Sequence, residues 1–156
     1  MDKEKEILQK ARNFCSRKEV CSAEILAKMK QWDADTEQCE KALALLKNEG
    51  YIDDLRYACA YAGDKLKLNK WGRIKIRYML RQKGINQADI EAAIGEFDDK
   101  EYESILKTEL EKKRKQIKSK NQWEIRGKLM QFAAGRGFET DLTNSLISVL
   151  LKTGKE

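Results

Sequence analysis

Histidine and proline are both absent from this 156-residue chain. Without an imidazole, the chain has no ordinary general base near neutral pH, and the usual Cys/His zinc spacings are missing. Its four cysteines, Cys15, Cys21, Cys39 and Cys59, form no CxxC pair. They read as reduced thiols packed as small apolar groups, not as metal or redox centres. No GxSxG motif or phosphate loop occurs, and lone acids such as Glu24 and Asp64 carry no enzyme claim. The sequence therefore reads as a binding protein without catalytic residues, metal ligands or a cofactor. No apolar run is long enough to span a bilayer, and the charged MDKEKE start does not resemble a signal peptide. A cytoplasmic, monomeric protein without a membrane partner is the expectation.

What is present is charge. Charged residues make up 37% of the chain and hydrophobic residues 41%, at a mean hydropathy of -0.73. That balance suits helices that each bury one narrow stripe. The formal charge of +6 is unevenly distributed. Residues 1–64 carry 11 basic and 13 acidic side chains, whereas residues 65–83 hold eight Lys and Arg and no acid. Residues 84–106 are net negative and residues 107–128 net positive. Two positive blocks around a negative one point to a nucleic-acid backbone or an acidic protein surface as partner.

Apolar spacing is helical throughout. In IEAAIGEF (90–97), Ile90, Ala93, Ile94 and Phe97 fall on one stripe, and CEKALALL (39–46) repeats the pattern with Cys39, Ala42, Leu43 and Leu46. Overlaid at an offset of 51, segments 34–46 and 85–97 agree in apolar positions, with Ile25 on Ile76 and Met29 on Leu80. IDDLRY (52–57) matches FDDKEY (97–102), KGI (83–85) matches RGF (136–138), and Arg73 and Lys75 fall on Arg126 and Lys128. Such self-similarity predicts an all-α protein of three tandem three-helix repeats, over 7–52, 53–97 and 98–152, forming an elongated, curved array. The third repeat has a first helix about two turns longer, through KKRKQIKSK (112–120). Gly50 and Gly84 are placed to close helices. Asp53 or Asp54, Asp98 or Asp99, and Asn86 are placed to open them. Paired aspartates can also ligate Mg²⁺, but both pairs stand where a helix must start, and capping is the preferred reading.

The second repeat carries the densest positive charge, on a helix expected over 71–83. Gly72, Ile76, Met79 and Leu80 share its inner face at 100° per residue, while Arg73, Arg77 and Arg81 line up beside it. Lys75 and Gln82 take the back, and Lys65, Lys67, Lys70 and Lys83 widen the patch. Arginine forks grip phosphate or carboxylate in bidentate geometry. Nineteen residues without an acid lack the mixed-sign pairing of an ordinary solvated helix. Lys112, Lys113, Arg114 and Lys115 form a second cluster with Glu109 and Glu111 close by, and Arg126 and Lys128 complete the candidate contacts. Trp71 and Tyr78 can stack on bases or pack as core.

The stretch GYIDDLRYACAYAGDKLKLNKWGRIKIRYMLRQKGI (50–85) resembles the RecX family. Gly50, Asp53, Arg56, Tyr57, Ala58, Trp71, Gly72, Ile76, Leu80, Lys83 and Gly84 carry the match. Ser16, Arg17, Ser22, Glu24 and Ile25 resemble the family's N-terminal run. The resemblance implies a modular all-helical regulator of the RecA recombinase, bound in the groove of the RecA–DNA filament and inhibiting strand exchange, ATP hydrolysis and co-protease activity. Some family members also bind DNA, so direct binding through the basic helices is the rival reading. Ala133 and the GRGF run depart from the pattern of the second repeat.

Overall fold

The computed structural model describes residues 2–153. Among them the chain forms nine α-helices and no strand: α1 (Lys3–Cys15), α2 (Ser22–Gln31), α3 (Thr36–Asn48), α4 (Asp54–Lys67), α5 (Arg73–Gln82), α6 (Gln87–Gly95), α7 (Asp99–Gln116), α8 (Gln122–Gly135) and α9 (Thr140–Thr153). No described helix is long and apolar enough to cross a membrane.

Side-chain caps open many of these helices. Asp2, Asp35, Asp98 and Asn121 accept hydrogen bonds from the first-turn amides of α1, α3, α7 and α8. Asp53 accepts from Arg56 N at 3.0 Å and Asn86 from Asp89 N at 2.8 Å. Each cap satisfies an amide that has no partner within its helix. Gly50 and Gly84, at φ +83° and +80°, follow the ends of α3 and α5.

Two compact units divide the chain. The first comprises Met1–Ala60 with Leu80–Ala92, and the second Tyr61–Met79 with Ala93–Glu156. In the first, α1, α2 and α3 bury Ile7, Ala11, Val20, Ile25, Met29, Cys39, Ala42 and Leu46 against one another. In the second, α7, α8 and α9 enclose Tyr102, Leu106, Leu110, Ile125, Leu129, Phe138 and Ile147. Cys15, Cys21 and Cys39 are free thiols, and all three are buried. Burial pushes the Cys15 and Cys21 thiols up from their ordinary value, which lowers their reactivity.

Two helix limits differ from the sequence expectation. The basic helix runs over 73–82, not 71–83, so Trp71, Gly72 and Lys83 lie outside it. Helix α7 has 18 residues against 14 in α4, one added turn instead of two. It stops because Ile117 turns inward with extended backbone (φ -85°, ψ 119°) and is buried, so its side chain ends the helix instead of prolonging it. Asn121 then caps α8.

Candidate interaction surface on and around helix α5

Helix α5 has no acid in its first turn, and Gly72, the residue before it, has no side chain with which to cap it. Its N-terminus is closed by tertiary contacts within the second unit. Gly72 N donates to Arg136 O (2.7 Å) and Ile74 N to Gly137 O (3.0 Å), both from the loop between α8 and α9. Arg73 N donates to the Tyr102 hydroxyl at 2.9 Å. A Cβ on Gly72 would overlap Gly137 O and lie 2.6 Å from Phe138 Cα, and one on Gly137 would overlap Lys75 Cβ and lie 2.6 Å from Lys75 N. Only glycine lets the two backbones meet this closely. In the first unit the KGI loop takes the corresponding place beside α2. Cys21 Sγ donates to Lys83 O at 3.8 Å, and Gly84 lies near Ala23.

Arg73 does not face outward. Its guanidinium pairs with Glu139 (2.9 Å) and Asp99 (3.0 Å), and lies 3.9 Å from the centre of the Tyr102 ring. The buried Tyr102 hydroxyl donates to Glu139. These two carboxylates supply the negative charge that the α5 N-terminus otherwise lacks. Burial alone would raise the Glu139 carboxyl, but hydrogen bonds from Tyr102 and Arg73 outweigh it and hold the carboxyl below its usual range. Burial, aided by Glu139, pushes the Tyr102 hydroxyl upward. The expected arginine rail therefore loses its first member to an internal ion pair. Local sequence pattern carries no sign of it, because Glu139 is 66 positions away.

A pH dependence follows. With its folded-state pKa depressed, Glu139 contributes stability above the ordinary carboxylate range, and that contribution disappears as pH falls through the folded value. Urea midpoints measured between neutral and acid pH should show a shallower acid decline for Glu139→Gln than for wild type. Tyr102→Phe should cost about 1–3 kcal/mol at neutral pH by leaving Arg73 N and Glu139 short of a partner.

The other positive residues follow several courses. Lys65 lies over the rings of Tyr61 (5.3 Å) and Trp71 (4.9 Å), and Lys75 lies over Trp71 at 4.5 Å. Trp71 is thus a half-buried ring with two ammonium groups within 5 Å of its centre. Lys67 is exposed. Lys70 adopts φ 58° and donates to Lys67 O at 2.6 Å. Lys83 pairs with Glu24, Lys112 with Glu109 and Lys128 with Glu124, at 3.5, 3.5 and 3.6 Å. Lys113 sits over Phe132, and Arg126 is bonded to Asn144 and Ser148. Arg77 and Arg114 are half-buried, whereas Arg81 and Lys115 are exposed. Among the motif residues, Arg56 pairs with Glu19 (2.7 Å) and donates to the Gly50 and Tyr51 carbonyls. Tyr57, Ile76 and Leu80 are buried.

The outer stripe of α5 is instead Ile74 and Tyr78, 51% and 55% exposed, followed by Arg81 and Gln82. Leu68, just before α5, is 76% exposed. On α8 of the same unit, Trp123 is 85% exposed beside Arg126, Leu151 and Lys152. Large exposed apolar side chains with cations nearby mark a candidate contact surface. Sequence reasoning missed Trp123, although Ile125, Leu129 and Ala133 fix the inner face of α8 and leave Trp123 on the opposite one.

The class these features define is an all-helical protein of tandem three-helix units whose distinctive surface chemistry is basic and aromatic. Family models for the second and third three-helix domains of RecX match residues 53–94 and 101–147, together more than half of the chain. The chain belongs to the RecX family. It is 28% identical over 130 residues to regulatory protein RecX of Clostridium beijerinckii, covering 82% of this chain and 60% of that protein. To the Clostridioides difficile protein of the same name it is 28% identical over 144 residues, covering 91% and 66%. The chain spans about half to two thirds of the length of such relatives. Its fold matches the crystal structure of RecX from Lactobacillus salivarius with a TM-score of 0.89 at 22% identity, covering 94% of this chain and 96% of that one. A second crystal structure, of regulatory protein RecX, matches with a TM-score of 0.87 at 24% identity, covering 94% and 72%.

Proposed function

We propose that this chain regulates a RecA-type recombinase as an inhibitor, docking in the groove of the recombinase–DNA filament and restraining recombination, ATP hydrolysis and co-protease activity. Its membership in a family of regulatory proteins supports the reading. The observation that carries it is the outer stripe of α5. Ile74 and Tyr78 supply apolar and aromatic contact, and Lys67, Lys70 and Lys75 add positive charge in the same unit. Such a surface suits a partner that combines protein and phosphate. In this reading the chain acts in the cytoplasm as a monomer, built from repeats over 7–52, 53–97 and 98–152. The test is a single-strand-DNA-dependent ATPase assay of the matching recombinase with and without the chain. Unchanged hydrolysis at saturating protein would refute inhibition.

A second reading, direct binding to DNA, is favoured by Trp123, whose exposed ring lies beside Arg126 and Lys152. Salt separates the two. Phosphate binding weakens with a log–log slope of about -0.9 per neutralised phosphate on duplex DNA. Protein contacts should persist at high salt and without DNA.

A further inference from the structure

Net charge along residues 1–64 is slightly negative, yet the first unit gathers three cations at one place. A cleft of about 390 Å³ is lined by Lys10, Asn13, Phe14, Arg17, Lys28 and Trp32, with no carboxylate in its wall. Phe14 and Trp32 meet edge to face, their centroids 6.5 Å apart and their planes at 85°. Lys10 lies 5.8 Å from the Trp32 ring centre and Lys28 lies 5.4 Å from that of Phe14. Elsewhere in this unit, Arg12, Lys41 and Arg56 are paired with acids. Among the described residues, Lys10, Arg17 and Lys28 form no such pair. Three like charges at one cleft repel each other, and a multiply charged anion removes that cost.

The walls narrow the choice of anion. Three cations exceed the need of a single carboxylate and match the charge of a di- or triphosphate. Arg17 offers the fork that phosphate oxygens accept, and Lys10 and Lys28 offer point charges. The aromatic pair offers a surface on which a planar ring can stack. The volume lies within the range of small-molecule sites. We propose that this cleft binds a nucleotide, its base against Trp32 and Phe14 and its phosphates held by Lys10, Arg17 and Lys28. The site lies wholly in the first unit and does not depend on the recombinase reading.

The same chemistry can come from a free nucleotide or from an unpaired nucleotide of a strand, and the proposal is for the free form. The test is titration of the full chain with ADP, adenosine, pyrophosphate and a single-stranded oligonucleotide. Calorimetry would follow affinity, and the indole N–H resonances of Trp32, Trp71 and Trp123 would locate binding. ADP should bind saturably and shift the Trp32 resonance while Trp71 and Trp123 stay in place. Adenosine and pyrophosphate should each bind at least about tenfold more weakly, since each keeps one half of the contacts. Lys10→Ala with Arg17→Ala, both exposed positions, should weaken ADP at least about tenfold and leave the melting temperature unchanged. Pyrophosphate binding as tightly as ADP would reduce the site to a basic patch and overturn the proposal. So would binding of the oligonucleotide alone, or no shift of Trp32 at millimolar ADP.

Discussion

Gly137→Ala should destabilise the chain by about 3–5 kcal/mol, because strain from a left-handed backbone adds to overpacking. The residue sits at φ +89°, where a side chain is already unfavourable. Its new Cβ would also overlap Lys75 Cβ and lie 2.6 Å from Lys75 N. The α5 backbone would have to withdraw, stretching the bonds from Gly72 N to Arg136 O and from Ile74 N to Gly137 O. Those amides belong to the helix N-terminus and have no intrahelical acceptor, so their loss is not made good locally. Gly72→Ala meets Gly137 O and Phe138 Cα but carries no positive-φ penalty, so it should cost less, about 1–3 kcal/mol. Gly63 is the control. It lies inside α4 with nothing within 4 Å of where a methyl group would stand, and alanine there should stabilise by about 0.5–1 kcal/mol. Urea melts of the three variants check the order. A Gly137→Ala midpoint equal to wild type would show that the loop yields without cost.

That contact also shows which parts of the fold were legible in sequence. Helix number, stripes and caps could be read because they depend on neighbours three or four positions apart. Asp53, Asn86 and Asp98 are examples. The alignment of KGI with RGF was visible too, but its meaning was not, since the touching partner of Gly137 is 65 positions earlier, at Gly72. The fate of Arg73 was hidden for the same reason. A helical wheel puts it about 20° from Leu80, next to the buried stripe, yet only the folded chain brings Glu139 and Asp99 to meet it. Counting charge by segment also concealed cations that converge from different helices, as Lys10 and Lys28 do.

The consequence for function is that reversing Arg73, Arg77 and Arg81 together is a poor test of the surface. Arg73→Glu would face Glu139 and Asp99 and damage the second unit, so lost inhibition would report lost structure. Ile74 and Tyr78 are better probes, because both side chains are more than half exposed. Exposed positions of this kind change stability by only about 0.5 kcal/mol. Ile74→Ser with Tyr78→Ala should remove about 2 kcal/mol of binding, the cost of a typical aromatic anchor, and so raise the half-inhibitory concentration in the recombinase ATPase assay roughly 30-fold. Helical content and the melting temperature should stay at the wild-type level. Lys67→Glu with Lys75→Glu should act differently, slowing association and steepening the response to salt while leaving dissociation nearly unchanged. If the Ile74/Tyr78 double variant inhibits as well as wild type, the outer stripe of α5 is not the contact, and Trp123 on α8 becomes the surface to vary next.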